Sequence, residues 1–506
     1  MKKNPLIGIL VHKPKGLKYF DLVSSLQADI LVFNAKGIDW KNKRIQGYAW
    51  QNNQWEKVIS PPPQVIYNRS YISHKGLSNR LEKLVGKGKV FNCMTRFDKW
   101  TINDILQKTI MSHFVPDTFL FKSHTFLKLL SSYRKLVLKP SKGTLGKQVY
   151  LAEQTPENEY RLYSNIFTEK AISTNELRGN MPTLGNECSK IPILNALINE
   201  KANNPAKINT SNKDEFLLKI GQFAQSERFL VQEYIPFEKV EEKIYDIRIY
   251  VQKNERGLWD TTAMLSRIGS PTSFITNHST EIKSVKEILT HSSHLSDKDI
   301  SLMKGISLLS ARTIERKLGH LGEICVDFGI DQTGRPWIIE INGKPQKHII
   351  KRINDIEVTK SLYQMPIKYA KFLVKNKHSH KFSGKNATLI NFQDTHFNRL
   401  YFYVISYLKD ERYLAESNQN KYKPKDNNNS ISSKPKSTSH QSLILINSAP
   451  IEQLQKIPNI GPKRAKEIVL LRTNKPFTSY ECLLRIKGIG ETRAYAIKTA
   501  QLVSFD

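Results

Sequence analysis

The chain has 506 residues, 39% of them apolar, enough for about three domains with real cores. Seventy-eight lysines and arginines stand against 46 acids, a formal charge of +32 that favours polyanionic partners such as nucleic acid, nucleotides or an anionic surface. No run approaches the roughly 18 apolar residues of a membrane span, the apolar run 6–11 is too short for a signal peptide, and the four cysteines (Cys93, Cys188, Cys325, Cys482) form no CxxC, which speaks against a zinc ribbon or disulfide framework and fits a reducing cytosol.

The apolar runs at 4–11, 28–34 and 61–70 predict buried strands, and 78–88 predicts a helix. This α/β pattern with a parallel flavour defines an N-terminal domain at 1–95. A second domain is expected at 96–375. It opens with a helix at 96–110, and "VPDTFLF" (115–121) starts a new unit. Strands are predicted at 135–140, 147–154, 228–235 and 246–253, the first two as a hairpin. A long amphipathic helix at 297–318 precedes two acid-bearing strands, and a helix at 358–375 closes the domain. Residues 155–225 are polar and rich in Asn, and their periodicity assigns no element. Apolar pieces within 376–415 are expected to pack on the domain, whereas 416–441, low in apolar residues and rich in Asn, Ser and Lys, predicts a flexible linker. The extension and linker together occupy 376–442, and 443–506 reads as a compact all-α domain.

The chemistry concentrates in "ICVDFGIDQTGRPWIIEINGKP". Asp327 and Glu340 end two apolar runs joined by a turn at Gly334, and Asn342 follows two residues later. Adjacent strands would bring these three side chains to one place. Two acids and an amide are hard oxygen donors, which suit Mg²⁺ rather than zinc. Upstream, Lys139 leads the loop Ser141-Lys142-Gly143-Thr144-Leu145-Gly146. Its glycines let backbone N–H groups approach phosphate oxygens. No GK[ST] leads into a helix, so this is not a Walker A loop. Loop and acids together predict a site for a magnesium-bound nucleotide.

These motifs resemble the ATP-grasp superfamily over about residues 96–375. "YNRS", "FNCMTRFDKW", "YDIRIYVQKNERGLWDTTAMLSRIG" and "EINGKP" resemble the spore-coat-associated YheC/YheD group within it. The resemblance implies an ATP-grasp fold with an N-terminal α/β pre-domain, ATP and Mg²⁺ as cofactors, and ligation of a carboxylate to an amine or thiol through an acylphosphate. It also implies a cytoplasmic, spore-associated setting. It assigns Lys99, Lys139, Ser141, Gly143, Thr144 and Gly146 to the phosphates. Gln232, Glu233 and Ile235 would frame the adenine, and Asp327, Glu340 and Asn342 would hold the metal. Arg248 and Arg267 are the candidates for stabilising the transferring phosphoryl group. Many such ligases carry an arginine two residues before the first metal acid; here Cys325 stands in that place. Ordinary ligase chemistry then requires Arg248 or Arg267 to substitute. The alternative is a non-catalytic ATP-binding coat or scaffold protein. Lys344 has two readings, a contact to substrate or phosphate and, preferred, a solvated loop lysine.

The C-terminal segment repeats itself. Ile457-Pro458-Asn459-Ile460-Gly461 matches Ile486-Lys487-Gly488-Ile489-Gly490, and Ala465 matches Ala494. It resembles a tandem helix-hairpin-helix domain of the ComEA type, which implies duplex DNA as partner. In such a turn, glycines leave the next helix's first N–H groups free for a phosphate oxygen. Gly461, Gly488 and Gly490 would form the turns, and Lys463, Arg464 and Arg493 would add charge. Ten basic against five acidic residues in 443–506 agree with a backbone-directed, sequence-independent contact.

Overall fold

The computed structural model describes residues 4–71, 75–143, 146–164, 208–224, 228–271, 273–276, 279–376, 395–408 and, with gaps after residue 474, 444–505. They form two compact units, one within 1–106 and 113–419, the other within 420–506 with 107–112. Thr144, Cys188, Gly490 and the predicted linker at 416–441 lie outside the described residues.

The first unit contains three sheets. The N-terminal sheet comprises β1 (Leu6–Leu10), β2 (Asp29–Asp39), β3 (Arg44–Gln51), β4 (Gln54–Ser60), β5 (Val65–Asn68) and β6 (Val90–Phe91), in the order β4-β3-β2-β1-β5-β6. β1 runs parallel to both β2 and β5, the crossover arrangement expected of a continuous apolar run. Its two faces serve different cores. Leu10 packs with Leu31, Phe33 and Leu81, the last on helix α1 (Gly76–Val85). Ile7 and Ile9 pack with Ile367, Ala370 and Leu373. Those three lie on the later helix Ile356–Lys375, which therefore belongs to the N-terminal core as well as closing the following region. The antiparallel β3–β4 hairpin has no counterpart among the predicted elements.

The second sheet is built from β7 (Thr118–Leu120), β8 (Lys135–Pro140), β9 (Tyr150–Gln154), β10 (Tyr160–Ser164), β11 (Ile208–Thr210) and β12 (Phe229–Glu233), all paired antiparallel. β10, β11 and a helix at Lys213–Ala224 fill part of the stretch that sequence periodicity left unassigned. Phe126, Leu130, Leu138, Phe216 and Val231 form its core.

The third sheet holds the acid-bearing strands. Its members are β13 (Lys239–Val240), β14 (Lys243–Lys253), β15 (Trp259–Ile268), β16 (Glu281–Lys283), β17 (Glu323–Ile330) and β18 (Pro336–Asn342), with β14 central between β15 and β17. The long helix Asp297–Leu318 starts at a capping box, Ser296 with Asp299, and ends at Gly319, whose φ of +100° suits a residue without Cβ. The helix Thr395–Tyr407 packs onto it. A Cβ on Gly305 would meet Val404 at 3.2 Å, so glycine is what allows the close approach.

The second unit is a small helical body closed by a parallel pair, β19 (Ile444–Leu445) with β20 (Val503–Ser504). Ile457, Ile460 and Ala465 are buried beside their repeat partners Ile486, Ile489 and Ala494.

Candidate active site and C-terminal hairpins

Strand register places the predicted acids together. Arg248 pairs with Asp327 across β14–β17, and Asp327 pairs with Glu340 across β17–β18. Directly opposed residues share a sheet face, so the three form one row. Cys325 opposes both Tyr250 and Asn342, one step along the same face. A β-bulge follows, because Phe328 pairs with Ile338 and leaves Ile339 as the extra residue. Ile339 and Glu340 consequently both line a cleft, which consecutive residues of a regular strand would not do.

That cleft lies between the second and third sheets and encloses about 930 Å³ of empty space, bulk solvent at its mouth included. Lys139, Gly143, Gly146, Gln232, Glu233 and Ile235 line one side, and Glu340 the other. Lys99, at the start of the helix Lys99–Gln107, bridges them. Its Nζ lies 3.0 Å from Glu340 Oε1 and donates to the Gly143 carbonyl at 2.8 Å. Lys139 Nζ donates to Gln232 Oε1 at 2.7 Å, and Gln232 Nε2 donates to Thr118 Oγ1 at 2.8 Å. The sheet ladder ends at Glu233, so Tyr234 and Ile235 reach the cleft beyond the last paired residue. Ser141 has a different part. Its hydroxyl donates to Asp98 Oδ2 at 2.6 Å and its carbonyl accepts from Lys99 N at 2.9 Å, so it ties the loop to the helix start rather than lining the cleft.

Electrostatics follow from burial and pairing. Burial lowers Lys139 to a pKa of about 8, the charge of Lys99 adds to the fall, and Glu340 opposes it. Burial works to raise Glu340, but Lys99, with a smaller part from Lys139, keeps the carboxyl below its ordinary value. Asp327 is held low in the same way, by Arg248 and Arg267 against burial. Arg248 grips it through Nε and Nη2, both at 2.7 Å, and Arg267 Nη2 donates to Oδ2 at 3.0 Å. Arg267 also forks onto buried Asp246, which accepts a further bond from Thr276. Asp327 therefore balances two guanidinium groups as placed. Cys325, where many ligases have arginine, is a buried thiol pushed up to about 12 by burial. Arg248 puts a guanidinium beside the first acid from the neighbouring strand instead.

Glu340 and Asn342 offer hard oxygen donors side by side, but as placed Asn342 Nδ2 donates to Glu340 Oε2 at 3.3 Å, so the amide would have to turn its oxygen inward and Glu340 to share its charge with Lys99 for both to face a cation. Asp327 would have to release a guanidinium to join them. Among the described residues, no group of three His, Cys, Asp or Glu side chains has metal-binding geometry.

Sequence reasoning missed Asp246, Tyr71 and the buried Glu323, and of its two readings of Lys344 the preferred, solvated one differs from the half-buried side chain observed. The Lys344 ammonium lies 3.5 Å over the Tyr71 ring, and burial lowers it to about 8 with Arg69 adding to the effect. "DIR" put Asp246 in view, two residues before Arg248 on the same strand face; pairing it with Arg267 required the register.

Among the described residues of the C-terminal hairpins, the left-handed positions are Asn459 (φ +66°) and Gly488 (φ +80°). Arg464 Nη1 donates to the Asn459 carbonyl at 2.9 Å, and Arg493 Nη1 donates to the Gly488 carbonyl at 2.6 Å. The repeat thus extends to its hydrogen bonds, and both arginines brace their own turns. Gly461 takes no positive φ, and a Cβ there would meet nothing within 4 Å. It stands ahead of the helix Pro462–Asn474, and its carbonyl accepts from the N–H groups of Arg464 and Ala465. Lys463 and Lys487 are exposed beside these turns.

Two sheets closing over a lysine-lined cleft, with carboxylates on the facing strand, make this an ATP-grasp fold. The chain belongs to the YheC/D like ATP-grasp family, whose profile matches residues 87–373, and residues 439–500 match a helix-hairpin-helix motif. It is similar to the endospore coat-associated protein YheD of Bacillus subtilis (strain 168), 26% identical over 353 residues, 68% of this chain and 70% of the relative. YheC of the same organism is 23% identical over 341 residues, 64% of this chain and 82% of that one. Among solved structures, D-alanyl-alanine synthetase A from Vibrio cholerae superimposes with a TM-score of 0.39 at 10% identity, covering 74% of this chain and 97% of that one. No helix among the described residues is long and apolar enough to cross a membrane.

Proposed function

We propose that the first unit is a Mg·ATP-dependent ligase that activates a carboxylate and passes it to an amine or thiol, and that the second unit holds duplex DNA without reading its sequence. The observation that carries the first part is the chain Gly143–Lys99–Glu340 across the cleft, with Lys139 on the same side as the glycine loop. Lys99 and Lys139 hold the phosphates, Gly143 and Gly146 let the backbone approach them, and Gln232, Glu233 and Ile235 frame the base. Thr144 belongs to the same loop. Glu340 and Asn342 hold magnesium, which when bound neutralises charge on the phosphates. Arg248 and Arg267, oriented by Asp327 and Asp246, face the acceptor end and steady the charge of the activated carboxylate. The relatives' coat association makes the spore the setting in which the activity operates. The test is ADP release by the purified protein on a panel of carboxylates and amines. ATP binding without stimulated release by any pair would refute the ligase and support a scaffold that keeps ATP as a ligand.

Lys139 gives this reading a pH signature. Its ammonium is lowered to about 8 in the free site. A bound triphosphate favours the charged form and raises that value. Nucleotide affinity is then full below pH 8 and falls as pH rises through it, and binding near pH 8.5 takes up a proton. Calorimetry in buffers of different ionisation enthalpy reads this uptake directly, and Lys139→Met should remove it. Uptake that survives in the variant places the proton elsewhere.

For the second unit, the exposed Lys463 beside the first turn makes a phosphate contact. Lys463→Ala should weaken binding equally for unrelated duplexes and reduce the slope of log affinity against log salt by about 1. Gel-shift titrations at several salt concentrations measure both. A loss confined to one duplex sequence would contradict a backbone contact.

A further inference from the structure

A second cavity adjoins the nucleotide cleft, sharing Lys99, Gly143 and Glu340 with it. Its remaining wall combines Tyr71, Thr95, Arg96 and Phe97 with Arg248, Arg267, Cys325, Asn342 and Lys344. Five cations face it against one carboxylate. Three of them are matched: Lys99 by Glu340, Arg248 by Asp327, and Arg267 by Asp246 and Asp327. Arg96 and Lys344 are not. Among the described residues no acid pairs with either; Arg96 donates to the Lys142 carbonyl at 3.1 Å, and Lys344 lies over Tyr71.

The loop that carries Lys344 is fastened on both sides of it. A Cβ on Gly343 would stand 2.6 Å from the Phe97 ring, so the backbone is pressed against that side chain. The Arg69 guanidinium lies 3.5 Å from the Pro345 carbonyl, Tyr250 OH donates to the Gln346 carbonyl at 2.7 Å, and Lys347 Nζ pairs with Glu323 at 2.7 Å. Residues 343 and 345–347 each have a fixed partner within the protein. Lys344 alone directs its charge to the cavity. Holding a half-buried cation without a counter-charge costs stability, and an anionic ligand would offset that cost. A rigid support also spares the ligand the cost of ordering the side chain's backbone.

We propose that the acceptor carries two anionic groups: a reacting carboxylate facing Arg248 and Arg267, and a second anion held by Lys344 and Arg96. This rests on the ligase reading for the identity of the reacting group but not for the presence of the anion site. The site selects for a short diacid, with a carboxylate or a phosphate-like group as the second anion.

The experiment measures binding rather than turnover. Glutarate, 3-phosphonopropionate and butyrate are titrated by calorimetry into the full chain loaded with magnesium and a non-hydrolysable ATP analogue. At least one of the two dianions should bind about tenfold or more tightly than butyrate, the worth of one charge-assisted contact. Which one wins tells a second carboxylate from a phosphate-like group. Lys344→Met and Arg96→Gln should each bring the preferred dianion down towards butyrate while affinity for the nucleotide analogue stays within about twofold, a difference under about 0.5 kcal/mol. Equal binding of all three acids, failure of both dianions to bind, or a preference that survives both substitutions overturns the proposal. ADP release on the same acids, each paired with a panel of amines and thiols, is recorded separately. Dianion binding without release would sink the ligase reading and leave the anion site standing.

Discussion

Glu340→Ala is expected to lower ATP turnover by about a hundredfold to a thousandfold, the loss that follows removal of one preorganised electrostatic group. The substitution takes away three things at once. Lys99 loses the carboxylate 3.0 Å from its Nζ, Asn342 loses the oxygen its amide donates to, and the cleft loses its hard anionic donor. Lys99 keeps its bond to the Gly143 carbonyl, so the glycine loop stays tied to the helix start and the fold is preserved. Glu340→Gln separates charge from shape. It keeps an oxygen for Lys99, while its own N–H groups require the Asn342 amide to turn and accept, and it carries no negative charge, so activity should remain low and the magnesium concentration needed for half-maximal nucleotide binding should rise. Duplex binding by the helix-hairpin-helix unit should not change in either variant. ADP release followed across a magnesium titration, with a gel shift on the same preparations, measures all three. Wild-type turnover in the alanine variant would remove Glu340 from the site's chemistry.

The parts of this site that sequence reasoning could see share a cause. Asp327, Glu340 and Asn342 sit at the ends of apolar runs that mark adjacent strands, and Lys139 lies near the end of another. What was not visible depends on register. That Arg248 faces Asp327 while Arg267 faces Asp246 requires knowing that β14 lies between β15 and β17. The bulge at Ile339, which turns Glu340 and its neighbour into the same cleft, leaves no mark in an unbroken run of apolar residues. The β3–β4 hairpin escaped for a different reason: few of its residues are buried, so hydrophobic alternation is weak. Its turn was legible, since Asn52 and Asn53 both adopt positive φ (+49° and +58°), as Asn-containing two-residue turns favour. Lys344 shows the limit of reading a charged loop residue as solvated. Nothing in "INGKP" indicates that Tyr71, more than 250 positions earlier, comes to lie under its ammonium.

Glu323→Gln should destabilise the first unit by about 3–5 kcal/mol, the cost of leaving buried charge uncompensated. Glu323 is fully buried at the start of β17. Arg69 Nη1 reaches Oε1 at 2.9 Å, Lys347 Nζ reaches Oε2 at 2.7 Å, and Tyr67 OH and Gln252 Nε2 donate to it as well. An amide in its place would leave the buried Lys347 and the partly exposed Arg69 with no acid between them. Burial alone would raise the carboxyl, but Lys347 and Arg69 overcome it and hold Glu323 at about 2, below its ordinary 4.5. A depressed carboxylate contributes stability that is present above its unfolded value and lost as pH falls through its folded one. The difference in denaturant midpoint between wild type and variant should therefore be largest above pH 4.5 and shrink as pH approaches 2. A difference that stays constant through that window would mean the loss comes from packing, not charge. Because Lys347 and Arg69 also fasten the loop that carries Lys344, the same substitution should weaken diacid binding at pH 7 more than nucleotide binding, which links this buried acid to acceptor recognition without its touching the acceptor.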